Sequence, residues 1–121
     1  MKFYRCKHCG NIIVKMKDSG VSVICCGEKM AEMPLNSQDF SNEKHVPVVS
    51  VENDVLTVNI GSVAHPMSVE HLIEWIYVEY SNGGEFVYLK DEPIARFNIA
   101  NKEVKAVYSY CNLHGLWYKE I

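Results

Sequence analysis

Four histidines and one cysteine, His45, His65, His71, Cys111 and His114, constrain this chain more than any other feature. Each stands at a turn-like or strand-edge position, where loops can bring distant segments together. The other four cysteines, Cys6, Cys9, Cys25 and Cys26, gather near the N-terminus. Apart from His8, these two sets contain every histidine and cysteine of the 121 residues. A chain that commits nearly all its imidazole and thiol groups to two clusters is built around two metal ions.

The N-terminal set is organised around two short motifs. Cys6-Lys7-His8-Cys9-Gly10 is a metal knuckle, whose two intervening residues let both thiolates face one ion. The glycine after the second cysteine permits a turn that points amide N–H groups at sulfur. Cys25-Cys26-Gly27 supplies the second pair and repeats the glycine. Four thiolates favour a tetrahedral site, and spacing alone leaves zinc and iron open. Residues 1 to about 35 form one unit, read as a small hairpin in which Ile12-Ile13-Val14 and Val21-Ser22-Val23-Ile24 flank a turn at Asp18-Ser19-Gly20. So small a unit cannot be held by an apolar core alone and needs a staple. The polar stretch from Pro34 to Asn42 reads as a linker.

From His45 onward the pattern is that of strands. Leu56, Val58 and Ile60 alternate with Thr57 and Asn59, and Ala95, Phe97 and Ile99 alternate with Arg96 and Asn98. A long apolar run covers Leu72 to Tyr80, followed by a hairpin turn at Asn82-Gly83-Gly84. Short strands at this spacing, with almost no helical period, predict an all-β chain whose larger part is an antiparallel sandwich or barrel. Trp75, Trp117 and the tyrosines fall in alternating runs and read as sheet packing. Met67, after the His65-Pro66 turn, reads as a packing residue near the histidine group.

Composition narrows the partners. A net charge of −3 with scattered basic residues gives no general attraction to nucleic acid or acidic membrane surfaces. The N-terminal segment has no signal-like apolar region, and no later run could span a bilayer, so the expected setting is the cytoplasm. In that reducing compartment, paired cysteines read as metal ligands before they read as disulfides.

A lone histidine in a β protein is a weak signal. The contexts here are stronger: Glu43-Lys44-His45-Val46-Pro47, Gly61-Ser62-Val63-Ala64-His65-Pro66-Met67, His71 at the start of the next strand, and Cys111-Asn112-Leu113-His114-Gly115. Five such groups exceed the four ligands of structural zinc. Mixed nitrogen and sulfur ligation with an open position suits iron better.

These motifs resemble the superoxide reductase family, and EKHVP, GSVAHPM, HLIEWI and CNLHG stand in the family's order. Residues 1–35 look like the desulforedoxin-like domain of desulfoferrodoxins, with all four ligand positions matched by Cys6, Cys9, Cys25 and Cys26. The resemblance implies a rubredoxin-type iron domain over 1–35 and an immunoglobulin-like antiparallel β-sandwich over 36–121. It implies two mononuclear irons, an Fe(Cys)4 centre and a catalytic Fe(His)4Cys centre. In the second, His45, His65, His71 and His114 would be equatorial and Cys111 axial. The implied activity is one-electron reduction of superoxide to hydrogen peroxide, with a rubredoxin-like electron donor. Lys44 would attract the anion, and Glu43 would occupy the open position once iron is ferric. His8 has no matching role. A homodimer is expected from the family and from the small size of the first domain. Two other readings compete: a non-catalytic zinc-binding protein, which leaves the histidines unexplained, and a rubredoxin-like electron carrier. Superoxide dismutation is a chemical neighbour that a thiolate-ligated site poised for reduction should perform poorly.

Overall fold

The computed structural model describes residues 1–37, 44–62 and 65–121. The chain divides into two compact units, Met1–Pro34 and Leu35–Ile121. Every regular element among the described residues is a strand, and no helix there is long and apolar enough to cross a membrane.

The first unit holds five two-residue strands: β1 (Tyr4–Arg5), β2 (Ile12–Ile13), β3 (Ile24–Cys25), β4 (Glu28–Lys29) and β5 (Ala31–Glu32). The sheet order is β2-β1-β5, with β3-β4 as a separate hairpin. The expected pairing of Ile12–Val14 with Val21–Ile24 does not form. Ile13 instead faces Tyr4, and Ile24 faces Lys29. The reason lies in the turns, since each knuckle folds the chain back on its own neighbour. In the β3–β4 hairpin, Cys25 pairs with Glu28, leaving Cys26 and Gly27 as a two-residue loop. Both have positive φ, 52° and 76°, as the type I′ hairpin turn requires. Few apolar side chains are buried here, chiefly Phe3, Met30 and Met33.

The second unit is a two-sheet sandwich. Its strands are β6 (Leu35–Asn36), β7 (Pro47–Glu52), β8 (Val55–Ile60), β9 (Ile73–Tyr80), β10 (Gly83–Tyr88), β11 (Ile94–Asn98), β12 (Val104–Cys111) and β13 (Gly115–Glu120). One sheet runs β10-β9-β12-β13-β6 and the other β11-β8-β7. All pairs are antiparallel except the short β6, which runs parallel to β13. Leu35 and Asn36, part of the expected linker, therefore belong to a sheet, while most of the rest of that stretch lies outside the described residues.

The core follows from the alternation. Leu56, Val58 and Ile60 of β8 and Ala95 and Phe97 of β11 face Ile73, Ile76, Val78, Val107 and Cys111 of the larger sheet. β7 and β8 meet through Asn53 and Asp54, both with positive φ, in a second two-residue hairpin. The β9–β10 turn is Ser81–Asn82, one residue earlier than the glycine pair suggests, because Gly83 already pairs with Tyr80. β12 is buried on both faces, so its alternation carries no polar side. Its outer face stacks Tyr110 on Trp75 at 5.6 Å and 18°.

Candidate metal centres

In the first unit, the knuckle closes through Gly10 N–H donating to Cys6 O at 3.0 Å, with Gly10 at φ +84°. The I′ turn then brings the adjacent cysteines to the same point. The four sulfurs of Cys6, Cys9, Cys25 and Cys26 lie within 4.8 Å of one another, with Cys9 and Cys25 Sγ at 3.6 Å. Amide groups aim at sulfur as the glycines suggest. The N–H of Cys9, then that of His8, helps pull the Cys6 thiol down to about 6 against its burial. Cys26 is pushed up to about 12 by the neighbouring side chains of Cys6, then Cys9 and Cys25. Without a cation the group is a partly protonated thiol cluster, and a cation that takes four thiolates must release protons. His8 is exposed and pairs through Nε2 with Glu28 Oε2 at 3.0 Å, spanning from the knuckle to the hairpin.

In the second unit, four imidazoles close a ring. His45–His65, His65–His71, His71–His114 and His114–His45 have centroids 4.8, 4.6, 4.9 and 4.7 Å apart, each pair near edge-on. The diagonal His45–His71 is 6.4 Å. Four nearly equal sides with a longer diagonal describe a square. Cys111 Sγ joins it 3.7 Å from His114 Nδ1, and one donor atom from each of the five residues lies within 4.8 Å of every other.

Each corner has a local cause. His45 precedes β7, and its carbonyl accepts Ser109 Oγ–H at 3.3 Å. His65 donates Nδ1–H to Pro66 O at 2.7 Å, which fixes the tautomer and leaves the Nε2 lone pair free. His71 lies in a small bridge with Ser68. Asn112 ties that segment to the cysteine loop, accepting Leu72 N–H at 3.0 Å and donating to Val69 O at 3.3 Å. Cys111 ends β12, and the three-residue loop to Gly115 (φ +86°) folds His114 back over it.

The electrostatics suit a cation. Burial, reinforced by the other imidazoles, lowers His65 to about 4, although its bond to Pro66 opposes this. Burial also lowers His71, with His114, His45 and Lys44 adding to it. Both rings are therefore neutral ligands at neutral pH. Burial raises the Cys111 thiol despite the N–H groups of His114 and Leu113 aimed at it. His65 Nε2 and His71 Nε2 are buried without a hydrogen-bond partner. Orphaned lone pairs converging with a thiol are costly unless a metal satisfies them, so the donor set fits a metal ion.

Family models for desulfoferrodoxin match residues 37–120 and, for the desulfoferrodoxin N-terminal domain, residues 1–33. The chain belongs to the desulfoferrodoxin family. It is 42% identical over 119 residues to a desulfoferrodoxin homolog of Archaeoglobus fulgidus, covering 97% of this chain and 94% of that protein. It is also 42% identical over 121 residues to the desulfoferrodoxin of Nitratidesulfovibrio vulgaris, covering 98% and 95%. The crystal structure of the superoxide reductase from Treponema pallidum superposes with a TM-score of 0.84 at 32% identity, covering 98% of this chain and 97% of that one. The four-cysteine group and the histidine–cysteine group match the two iron sites of desulfoferrodoxin, and the chain is an oxidoreductase of that family.

The nine cysteine and histidine residues singled out from sequence all fall in these two groups. Lys44 is half-buried beside His45 and close enough to act on His71. Glu43 lies outside the described residues. Met67 packs against the apolar core. Trp117 departs from its reading as sheet packing: its ring stacks on His45 at 4.7 Å and 16°. Its spacing from His114, three residues within one hairpin, is the signal that could have found it.

Proposed function

We propose that this protein reduces superoxide by one electron to hydrogen peroxide, and that His45, His65, His71, His114 and Cys111 would together hold the mononuclear iron for that reaction. The observation that carries this reading is the square of imidazoles sharing one centre with a buried thiol. Iron held there would supply the electron and a Lewis-acidic centre for the anion. The chain's contribution is to keep four neutral imidazoles and one thiolate converged, and to draw a small anion toward them. In the balanced reaction superoxide takes one electron and two protons and leaves as hydrogen peroxide. The stoichiometry tests it. With an excess of reductant, reduction yields one peroxide per superoxide and no dioxygen. Dismutation yields one peroxide per two superoxides and releases dioxygen, which would overturn the reading.

Lys44 is assigned the attraction of superoxide. A protein of net charge −3 needs a local positive site to capture an anion quickly. Lys44→Ile should slow the second-order reaction roughly tenfold and flatten its dependence on ionic strength. An unchanged rate and salt slope would remove Lys44 from this role. Glu43 is assigned as a carboxylate that would add an oxygen ligand to iron in the oxidised protein, since hard oxygen ligands suit Fe(III). Glu43→Ala should leave the initial reaction fast but change the visible spectrum of the oxidised site. An identical spectrum argues against the carboxylate.

Cys6, Cys9, Cys25 and Cys26 would hold a second iron, which is assigned a structural role at the interface of a homodimer, with a rubredoxin-like protein as electron donor. Loss of reductase activity in a Cys6→Ser variant that stays dimeric with a loaded histidine site would instead make it a relay. The assigned compartment is the reducing cytoplasm, in keeping with five free cysteines. Exclusive recovery of the protein from an oxidising compartment would contradict that.

A further inference from the structure

Trp117 sits in β13, directly across from Ser109 of β12. Both residues act on His45. Ser109 Oγ–H donates to its carbonyl at 3.3 Å, while the indole lies flat on its imidazole, 4.7 Å between centroids and 16° between planes. The same indole donates Nε1–H to the carbonyl of His114 at 3.2 Å. One side chain thus touches two corners of the square, corners that come from segments 69 residues apart.

We infer that Trp117 is a positioning residue for the iron site, setting the ring plane of His45 and the backbone of His114. The inference rests on the reading that the histidine–cysteine group holds iron. His45 presents Nε2 to the centre, 3.0 Å from His114 Nδ1. A half-turn of the His45 ring about its Cβ–Cγ bond would put carbon where that nitrogen stands. A flat indole against one face resists such a turn, because any tilt forfeits dispersion contact over the whole ring. His114 has the complementary weakness. It presents Nδ1, the nitrogen next to its own backbone, so its donor direction follows the backbone of the tight loop. The indole N–H holds that loop by the carbonyl of the same residue. Packing alone would explain a buried ring. It does not explain why this half-buried ring lies parallel to one ligand and hydrogen-bonds the residue that carries another.

The test uses the iron-loaded full-length protein with two substitutions. Trp117→Phe keeps an aromatic face on His45 but removes the N–H, and Trp117→Leu removes both. The readouts are the position of the thiolate-to-iron band of the histidine site and the rate at which a chelator strips that iron. The band of the four-cysteine site serves as an internal reference. Trp117→Leu is expected to shift the histidine-site band and to speed iron loss at least about tenfold, the scale seen when partners that orient ligands are removed. Trp117→Phe should fall between it and the parent. A purely structural tryptophan would lower the melting temperature without moving the band of loaded protein, and that result overturns the inference. If Trp117→Leu does not fold, Trp117→Phe decides alone, and an unchanged band and stripping rate in it refute the role. If the parent protein shows no second thiolate-to-iron band, the metal reading itself has failed and the positioning role falls with it.

Discussion

Substituting Gly61 by alanine should empty the histidine site while leaving the four-cysteine site loaded. Gly61 directly follows β8, with φ +82°, and its N–H donates to Val46 O at 3.0 Å. A Cβ there would collide with Lys44 O and stand 2.5 Å from Lys44 C and Cα. Those are backbone atoms, so no side chain can swing aside. The left-handed conformation adds about 1–2 kcal/mol of its own for a residue with a Cβ. The chain must give way at Lys44–His45, moving one corner of the square and the lysine assigned to superoxide together. Metal analysis should find close to half the parent iron content, and the visible spectrum should keep only the band of the four-cysteine site. Full loading with both bands and an unchanged superoxide rate would show that the segment absorbs the methyl group.

Cys111→Ser should abolish the thiolate-to-iron band of the histidine site and weaken metal binding by at least about 100-fold. Removing a residue that merely orients a ligand already costs roughly 10–100-fold, and Cys111 is itself a donor. The serine hydroxyl remains protonated in a buried place where even the thiol is raised by burial. Cys111 is also wholly buried within the apolar core of the sandwich. The variant therefore exchanges a sulfur that suits both core and metal for a hydroxyl that suits neither. A Zn(II) titration followed by calorimetry measures the affinity independently of redox chemistry. Parent-like affinity would place the sulfur outside the coordination sphere.

The sandwich is legible in the sequence where one face of a strand is wet. Leu56, Val58 and Ile60 alternate with polar neighbours, and all three are buried as that alternation requires. The signal fades in β12, where Tyr108, Tyr110 and Cys111 are buried regardless of parity. The first unit defeats the pattern for a different reason. Its strands are two residues long, and their partners are chosen by turns at the cysteines, so apolar runs predict a pairing that the knuckles preclude. The nine donors are legible because their residue types are scarce and their motifs specific. What surrounds them is not. Trp117 looks like any strand aromatic, since stacking on His45 depends on a contact between distant segments. Gly61 looks like a turn glycine, whereas the close passage of Lys44 over it is a tertiary fact.

The small strand Leu35–Asn36 bears on how the protein can be cut. It lies along β13 at Leu116 and Trp117, and Asn36 Nδ2 donates to Leu116 O at 3.0 Å. A truncated form beginning at residue 37, where the desulfoferrodoxin match starts, would lack it. The backbone of β13 would then become an open sheet edge, a template for pairing with other chains. An excised reductase unit should stay monodisperse if it begins at Leu35 and self-associate if it begins two residues later.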